Sequence, residues 1–380
     1  MLVNIIVNLL QTKFSLNVAS LFLHKIISMS QFYKLTIKSI NKVTDQSVAV
    51  SFEIPENLKE NFSFKAGQYV TLKKEINGEE IRRDYSICSS KNSGELTVAV
   101  KAVEGGTFSI YANEKLQPGD TIEVASPNGR FVFEANKEKT RTVAAFAAGS
   151  GITPILSIAK TLLEDEPFSN FILMYGNKSL EDAMFFNQIV ELQAFYGNRF
   201  HAHFIYSQTR EEDALFGRIE KGTVNLIVKN KYKDVSIDSF YLCGPEQMIH
   251  TVKDVLVENS IKEKQIFFEL FTVPTETETT PDSELPSGQT KVKVLVDDEE
   301  FEFEMSQEHS ILEATLKQDI DAPYSCQGGI CSSCIARLTE GEAKMRQNNI
   351  LTDSEVAEGL VLTCQAHPTT SKVVVDYDDV

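Results

Sequence analysis

Cysteine is scarce in this chain, six in 380 residues, which excludes the disulfide-stapled class of small secreted domains. Positive charge is short as well. With 37 Lys and Arg against 54 Asp and Glu, the formal net charge is −17. A phosphate backbone needs clustered cations, so nucleic acid is excluded as a partner. No apolar run reaches membrane-spanning length: Met1 to Val7 and Leu21 to Leu23 are separated by Gln11, Thr12, Lys13 and Asn17, so no membrane association is expected. The same segment lacks the early positive charge, clean apolar core and small-residue cleavage site of a signal peptide. Met29 reads as the start, ahead of the strand-like run Ser30 to Ile37, and residues 1–28 as an extension outside the domains.

What remains is a chain that is 42% hydrophobic and long enough for two or three domains with cores of their own. Four of its cysteines, Cys326, Cys331, Cys334 and Cys364, have four and two residues between the first three and a distant fourth. That is the plant-type spacing for a two-iron, two-sulfur cluster. Gly328 and Gly329 let the loop backbone wrap close to inorganic sulfide, so that N–H groups can face its negative charge. Four-thiolate zinc is the competing reading, but structural zinc sites usually pair two short Cys-x-x-Cys hooks, and here there is one hook plus the outlying Cys326. The segment Lys291 to Val380 resembles a plant-type ferredoxin domain, with Asn349 to Asp353 and Val361 to Pro368 similar to its far-cysteine segment. Lys291 to Val296 and Glu300 to Met305 alternate apolar and polar residues, as paired strands with one buried face do, and Ser310 to Leu316 reads as a short helix. The resemblance implies a β-grasp, α+β ferredoxin domain over 291–380. These 90 residues carry 18 Asp and Glu against 7 Lys and Arg, an excess suited to docking on a basic partner. Asp376, Asp378 and Asp379 are candidates for that docking, or else belong to a fraying end.

Residues 29–135 contain short alternating runs, Gln46 to Ile54, Gln68 to Leu72 and Leu96 to Val103, separated by Gly, Asn and Pro turns, a pattern that suggests an antiparallel β-barrel. Within it, Arg83-Asp84-Tyr85-Ser86 resembles the flavin-binding motif of the ferredoxin-NADP reductase superfamily. On that resemblance Arg83 neutralises a flavin phosphate, Tyr85 stacks on the isoalloxazine and Ser86 hydrogen-bonds near flavin N5. Lys101 precedes Gly105-Gly106-Thr107-Phe108-Ser109, where free N–H groups at a helix start can meet a pyrophosphate and Ser109 can add a hydroxyl. FAD is expected here rather than FMN.

From 136 to 273 buried strands alternate with helices, which predicts an α/β domain on a parallel sheet. The apolar run Thr142 to Ala147 leads into Gly149-Ser150-Gly151-Ile152-Thr153-Pro154, the strand, glycine loop and helix of a dinucleotide site. Pro154 stands where a Rossmann fingerprint has its third glycine. The form with proline is similar to the reductase superfamily, and proline is tolerated in a first helical turn. Further strands end at Gly176, Ser207 and Cys243-Gly244-Pro245, the last resembling the motif beside the nicotinamide. Phe268-Glu269-Leu270-Phe271 resembles the segment that places an acid and an aromatic against the flavin. Lys178 and Arg210, with Ser207, are the candidates for the 2′-phosphate, favouring NADPH with NADH as the alternative. Residues 274–290, rich in Thr, Glu, Pro and Ser, read as a linker.

The order of barrel, nicotinamide domain, linker and ferredoxin resembles the reductase components of bacterial multicomponent oxygenases. The resemblance implies an NAD(P)H-dependent iron–sulfur flavoprotein that passes electrons to a terminal oxygenase, a di-iron hydroxylase or epoxidase. It assigns positioning roles to Ser86, Thr153, Cys243, Glu269 and Phe271. A reductase for a Rieske-type oxygenase or a desaturase, an oxidase without a protein partner, and a redox sensor without turnover remain open. A cytoplasmic location is expected, because cofactor assembly and reduced thiols favour it.

Overall fold

The computed structural model describes residues 31–271 and 287–380; the expected extension at 1–28 and residues 274–286 of the expected linker lie outside them. Near the N-terminus, alternating residues build β1 (Phe32–Thr44), β2 (Ser47–Glu53), β3 (Tyr69–Ile76), β4 (Glu79–Ser86), β5 (Leu96–Lys101) and β6 (Thr121–Ala125). They form one antiparallel sheet in the order β4-β3-β6-β1-β2-β5. Ile87, just past β4, bridges Val98 of β5, so the two ends of the order meet and the sheet curls into a barrel. Leu35, Val50, Val70, Val98 and Val124 fill its core with Phe108 of helix α1 (Thr107–Glu114).

Beyond Thr142 the central strands are buried on both faces, and the sheet becomes parallel as expected of apolar runs alternating with helices. It contains β7 (Thr142–Ala148), β8 (Asn170–Asn177), β9 (Phe200–Tyr206), β10 (Leu215–Phe216), β11 (Ser239–Gly244) and β12 (Ile266–Leu270), in the order β10-β9-β8-β7-β11-β12. Helices α2 (Ile152–Asp165) and α3 (Phe186–Tyr196) cover one face; α4 (Lys221–Asn225) and α5 (Glu246–Glu258) cover the other. The order reverses between β7 and β11, which opens a crevice at their carboxyl ends where ligands bind in such sheets.

The C-terminal strands are β13 (Gln289–Val296), β14 (Glu299–Ser306), β15 (Ile335–Glu340), β16 (Ala343–Met345), β17 (Leu360–Leu362), β18 (Ala366–Pro368) and β19 (Lys372–Asp376). Five form a mixed sheet, β14-β13-β19-β15-β17, with β13 and β19 parallel; β16 and β18 pair separately. Helix α6 (Ile311–Leu316) packs into this core, and Ser310 caps it by accepting from the Glu313 N–H at 3.2 Å. A short α7 (Asp353–Ala357) follows the cluster loop. The chain end is tied down, not frayed. The Asp378 carboxylate accepts from the N–H groups of Asp297 and Asp298 at 3.0 and 2.9 Å, Asp376 accepts from Asp378 N–H, and Asp379 pairs with Arg337 at 3.0 Å. All three carboxylates offered for docking therefore have internal partners. Among the described residues no helix is long and apolar enough to cross a membrane.

Barrel and parallel sheet share one core. Phe131 and Phe133 meet Tyr241 edge-on, with centroids 5.4 and 6.1 Å apart, and Ser157 Oγ donates to the Ser89 carbonyl at 2.7 Å. Glu166, fully buried after α2, accepts from Arg141 at 2.6 Å, Ser169 Oγ at 2.6 Å and Asn136 N–H at 2.8 Å. Burial opposes its ionisation, but these donors outweigh it and hold the carboxyl below its ordinary range. Glu166→Ala would leave Arg141 facing a void, so urea unfolding should show a loss of about 3–5 kcal/mol; a loss under about 1 kcal/mol would mean the network carries no stability.

Candidate functional site

The loops that follow β7 and β11 meet at the switch point. Gly149 has φ +55°, and a Cβ on Gly151 would lie 2.2 Å from the Cys243 carbonyl oxygen, so only glycine fits there. Thr153 Oγ1 donates to the Ser150 carbonyl at 3.0 Å and closes the turn. Pro154 occupies the first turn of α2, where its missing N–H costs no helical bond. Cys243 is fully buried and pairs across the sheet with Ala147 and Glu269.

Beside this crevice lies a cavity of about 1160 Å³ that joins all three parts of the fold. It gathers Arg83, Tyr85 and Ser86 from β4, Lys101, Gly105, Gly106, Thr107 and Ser109 around the start of α1, Thr153 from α2, and Glu269 and Phe271 from the end of β12. Cys326 and Cys331 of the cluster loop reach the same cavity. Gly149, Gly151, Pro154, Cys243, Gly244 and Pro245 stand behind it at the switch point; Cys334 and Cys364 lie in the ferredoxin core. Lys178, Ser207 and Arg210 are set apart, past the ends of β8 and β9, where Gln208 N–H donates to the Lys178 carbonyl at 2.8 Å. Arg210 lies 4.0 Å above the Phe216 ring.

Local chemistry explains several of these placements. Tyr85 packs on Phe108 with ring centroids 5.6 Å apart, and burial raises its hydroxyl well above the ordinary range. Ser109 is buried; its hydroxyl donates to the Gly106 carbonyl and accepts from Val103 N–H, so it shapes the loop itself. Ser86 Oγ donates to Glu269 Oε2 at 3.2 Å. Glu269 lines the cavity, and burial pushes its carboxyl up to about 8. Burial, with Glu269 nearby, likewise raises the Cys243 thiol, so it is no nucleophile.

The cluster loop fits a two-iron group. Its thiols fall into two contacting pairs, Cys326 with Cys331 and Cys334 with Cys364, whereas a mononuclear zinc site would draw all four to one point. The contact with Cys331 and the N–H groups of Gly328, Ile330 and Cys331 hold the Cys326 thiol below its usual range. Gly328 N–H points at Cys326 Sγ from 3.3 Å. Gly329 has φ +70°, with Gln347 and Gln365 pressed against it.

Comparison with known proteins agrees with this architecture. Residues 34–133 match the oxidoreductase FAD-binding domain, 146–254 the oxidoreductase NAD-binding domain, and 294–369 the 2Fe-2S iron–sulfur cluster binding domain. The chain is 39% identical to one of the component proteins of 1,2-phenylacetyl-CoA epoxidase from Escherichia coli (strain K12), over 92% of this chain and 99% of that protein. It is 29% identical to the ferredoxin reductase component of 3-ketosteroid-9-alpha-monooxygenase from Mycobacterium tuberculosis, over 91% and 96%. In fold it is similar to phthalate dioxygenase reductase, with a TM-score of 0.56 and 24% identity over 91% and 98% of the two chains. The chain belongs to the family of flavin and iron–sulfur reductase components of oxygenases. It is an oxidoreductase whose domains take FAD, NAD(P)H and a 2Fe-2S cluster.

This reductase also uses residues that sequence reasoning passed over. Tyr69, Arg82 and Asp84 contact the ferredoxin part: Arg82 pairs with Asp321 at 2.7 Å and lies 4.4 Å above the Tyr324 ring, and Arg130 pairs with Glu355. Such partners lie over 200 residues apart and have no local signal; only the placement of Asp84 inside the flavin motif hinted at a role. Near Lys178 and Arg210, Tyr206 Oη and Thr209 Oγ1 are buried without a hydrogen-bond partner among the described residues.

Glu269 gives a pH signature. Between the ordinary carboxylate range and about 8, the folded chain keeps a proton here that the unfolded chain has released. This group's contribution is therefore full at low pH and lost as pH rises toward 8. In the apoprotein, Glu269→Gln should narrow the difference between urea midpoints at about pH 5 and about pH 8. An unchanged difference would mean Glu269 is ionised in the fold throughout.

Proposed function

We propose that this reductase serves a di-iron epoxidase acting on phenylacetyl-CoA, in phenylacetate degradation in the cytoplasm, and draws its electrons from NADPH. The 39% identity to the Escherichia coli epoxidase component along nearly the whole of both chains carries the choice of partner. In this reading the chain divides into a flavin domain over 29–135, a nicotinamide domain over 136–273, a linker over 274–290 and a ferredoxin domain over 291–380. A second reading, the reductase of another monooxygenase, draws on the relatives of 3-ketosteroid-9-alpha-monooxygenase and glycine betaine monooxygenase at 29% and 28% identity.

A bound flavin would supply the conversion of a two-electron hydride from the nicotinamide into single electrons for the cluster. The chain's own residues place these groups. Arg83 and Lys101 supply positive charge, Gly105 and Thr107 offer N–H groups at the start of α1 to the pyrophosphate, and Gly106, whose N–H donates to the Val103 carbonyl at 2.9 Å, holds the turn that presents them. Tyr85 would lie along the ring, Ser86 and Glu269 would hold a proton beside it, and Phe271 would cover its nicotinamide side. Gly149, Gly151, Thr153, Pro154, Cys243, Gly244 and Pro245 would form the floor that receives the nicotinamide. Cys326, Cys331, Cys334 and Cys364 hold the cluster. The cavity shared by Tyr85, Ser86, Cys326 and Cys331 is the observation that supports internal transfer.

Reconstitution with a phenylacetyl-CoA epoxidase oxygenase component should give NADPH oxidation that depends on phenylacetyl-CoA. Cys331→Ser should abolish it while NADPH still bleaches the flavin. Coupling only to a different oxygenase would select the second reading. Lys178→Ala with Arg210→Ala should raise KM for NADPH about tenfold or more and that for NADH much less, since only NADPH offers them a 2′-phosphate. Equal effects on both would assign the two cations a structural role.

A further inference from the structure

Asp84 stands between Arg83 and Tyr85, yet its partners span two parts of the molecule. Its Oδ1 accepts from Thr71 Oγ1 at 2.6 Å across the β3–β4 ladder, where Thr71 and Asp84 are paired. Its Oδ2 accepts from Ser333 Oγ at 3.2 Å. Two residues before Thr71, and so on the same face of β3, Tyr69 brings its hydroxyl to Ser332 Oγ and Ser333 Oγ at 3.0 and 2.9 Å. Tyr69, Ser332 and Ser333 are all buried.

The positions along the chain matter more than the number of bonds. Asp84 precedes Tyr85, whose ring borders the cavity; Ser332 follows Cys331, and Ser333 precedes Cys334. One cluster of hydroxyls thus ties the residue beside a cavity-facing ring to the neighbours of two cluster ligands. Hydrogen bonds are directional, so turning the loop away would break the Asp84 contact with Ser333 and the Tyr69 contacts with Ser332 and Ser333 together. We propose that Asp84 and Tyr69 form a polar latch that seats the cluster loop against the flavin cavity, with Asp84 the positioning residue for internal electron transfer. The latch itself exchanges neither electron nor proton. The inference rests on the reading that electrons pass from flavin to cluster within one chain.

The test uses the full-length holoenzyme as wild type, Asp84→Ala, Asp84→Asn, Ser333→Ala and the Asp84→Ala/Ser333→Ala double variant, after flavin, iron and labile sulfide have been measured. Hydrogen exchange over residues 325–334 reports the seating of the loop; stopped-flow mixing with NADPH reports cluster reduction after flavin reduction. Asp84→Ala should speed exchange in the loop about tenfold or more, as loss of a hydrogen bond to a charged group can, and should slow cluster reduction with it. Asp84→Asn keeps an acceptor for Thr71 and gains a donor for Ser333, so it should stay within about threefold of wild type. The double variant should be slowed by less than the product of the two single effects, because Ser333→Ala removes the Tyr69 contact as well but shares the Asp84 contact. Wild-type exchange and rate in Asp84→Ala, equal damage in Asp84→Asn, or effects that multiply would each overturn the latch. Should Asp84→Ala lose flavin or iron, Tyr69→Phe and Ser333→Ala decide: slowing that does not multiply supports the latch, and wild-type rates in both overturn it. A wild-type chain that holds both groups but never reduces its cluster overturns the functional reading, and the latch with it.

Discussion

The cluster loop must lie against the flavin cavity, because electron transfer between separate centres falls steeply with distance. The three parts of this reductase's fold are arranged around that contact. Ile330, between the ligands Cys326 and Cys331, is buried in the apolar cluster that includes Ile266 and Leu270 of the nicotinamide part. The serines beside Cys331 and Cys334 meet the barrel strands instead. The loop is therefore held on two sides by different forces. Burying an isoleucine side chain contributes about 1.5–3 kcal/mol, against about 1 kcal/mol for a typical net hydrogen bond. Ile330 thus contributes attraction, and the hydroxyl network orientation. Arg82 with Asp321 adds little to either, since Asp321 remains mostly exposed.

Close approach also shapes the switch point. Gly151 lets the β7 loop touch the Cys243 carbonyl, which brings two glycine-bearing turns to the base of one cavity. Glu269 reaches that cavity because β12 extends the parallel sheet by one strand and pairs it with Cys243. A carboxyl placed there loses water on nearly every side and keeps its proton to about 8. Burial is the main cause, and of its barrel neighbours Ser86 lowers the value by hydrogen bonding while Asp84 raises it by like charge.

What was legible in the sequence was local. The cysteine spacing, the glycine loops and the change from alternating to continuous apolar runs each express one loop or one strand, and the structure places the barrel, the parallel sheet and the β-grasp where those patterns stand. Element ends shifted by a few residues; β1 runs on to Thr44, where its ladder with β2 carries irregularities that no period reveals. Contacts between distant residues were not legible. Nothing near Tyr69 announces Ser333, and the acidic C-terminus read as a free patch because its partners, Asp297, Asp298 and Arg337, lie 40 or more positions away. Nor does the loop sequence show that the Ser109 hydroxyl accepts from the Val103 N–H and donates to the Gly106 carbonyl.

The central claim is that electrons enter at the flavin and leave through the cluster of the same chain. Anaerobic rapid mixing of the dilute holoenzyme with one equivalent of NADPH, followed at wavelengths that separate flavin from cluster bleaching, tests it most directly. The account predicts flavin bleaching first and cluster bleaching second, with a second rate independent of protein concentration. A second rate that rose in proportion to protein concentration would mean that electrons pass between molecules, and would contradict the arrangement described here.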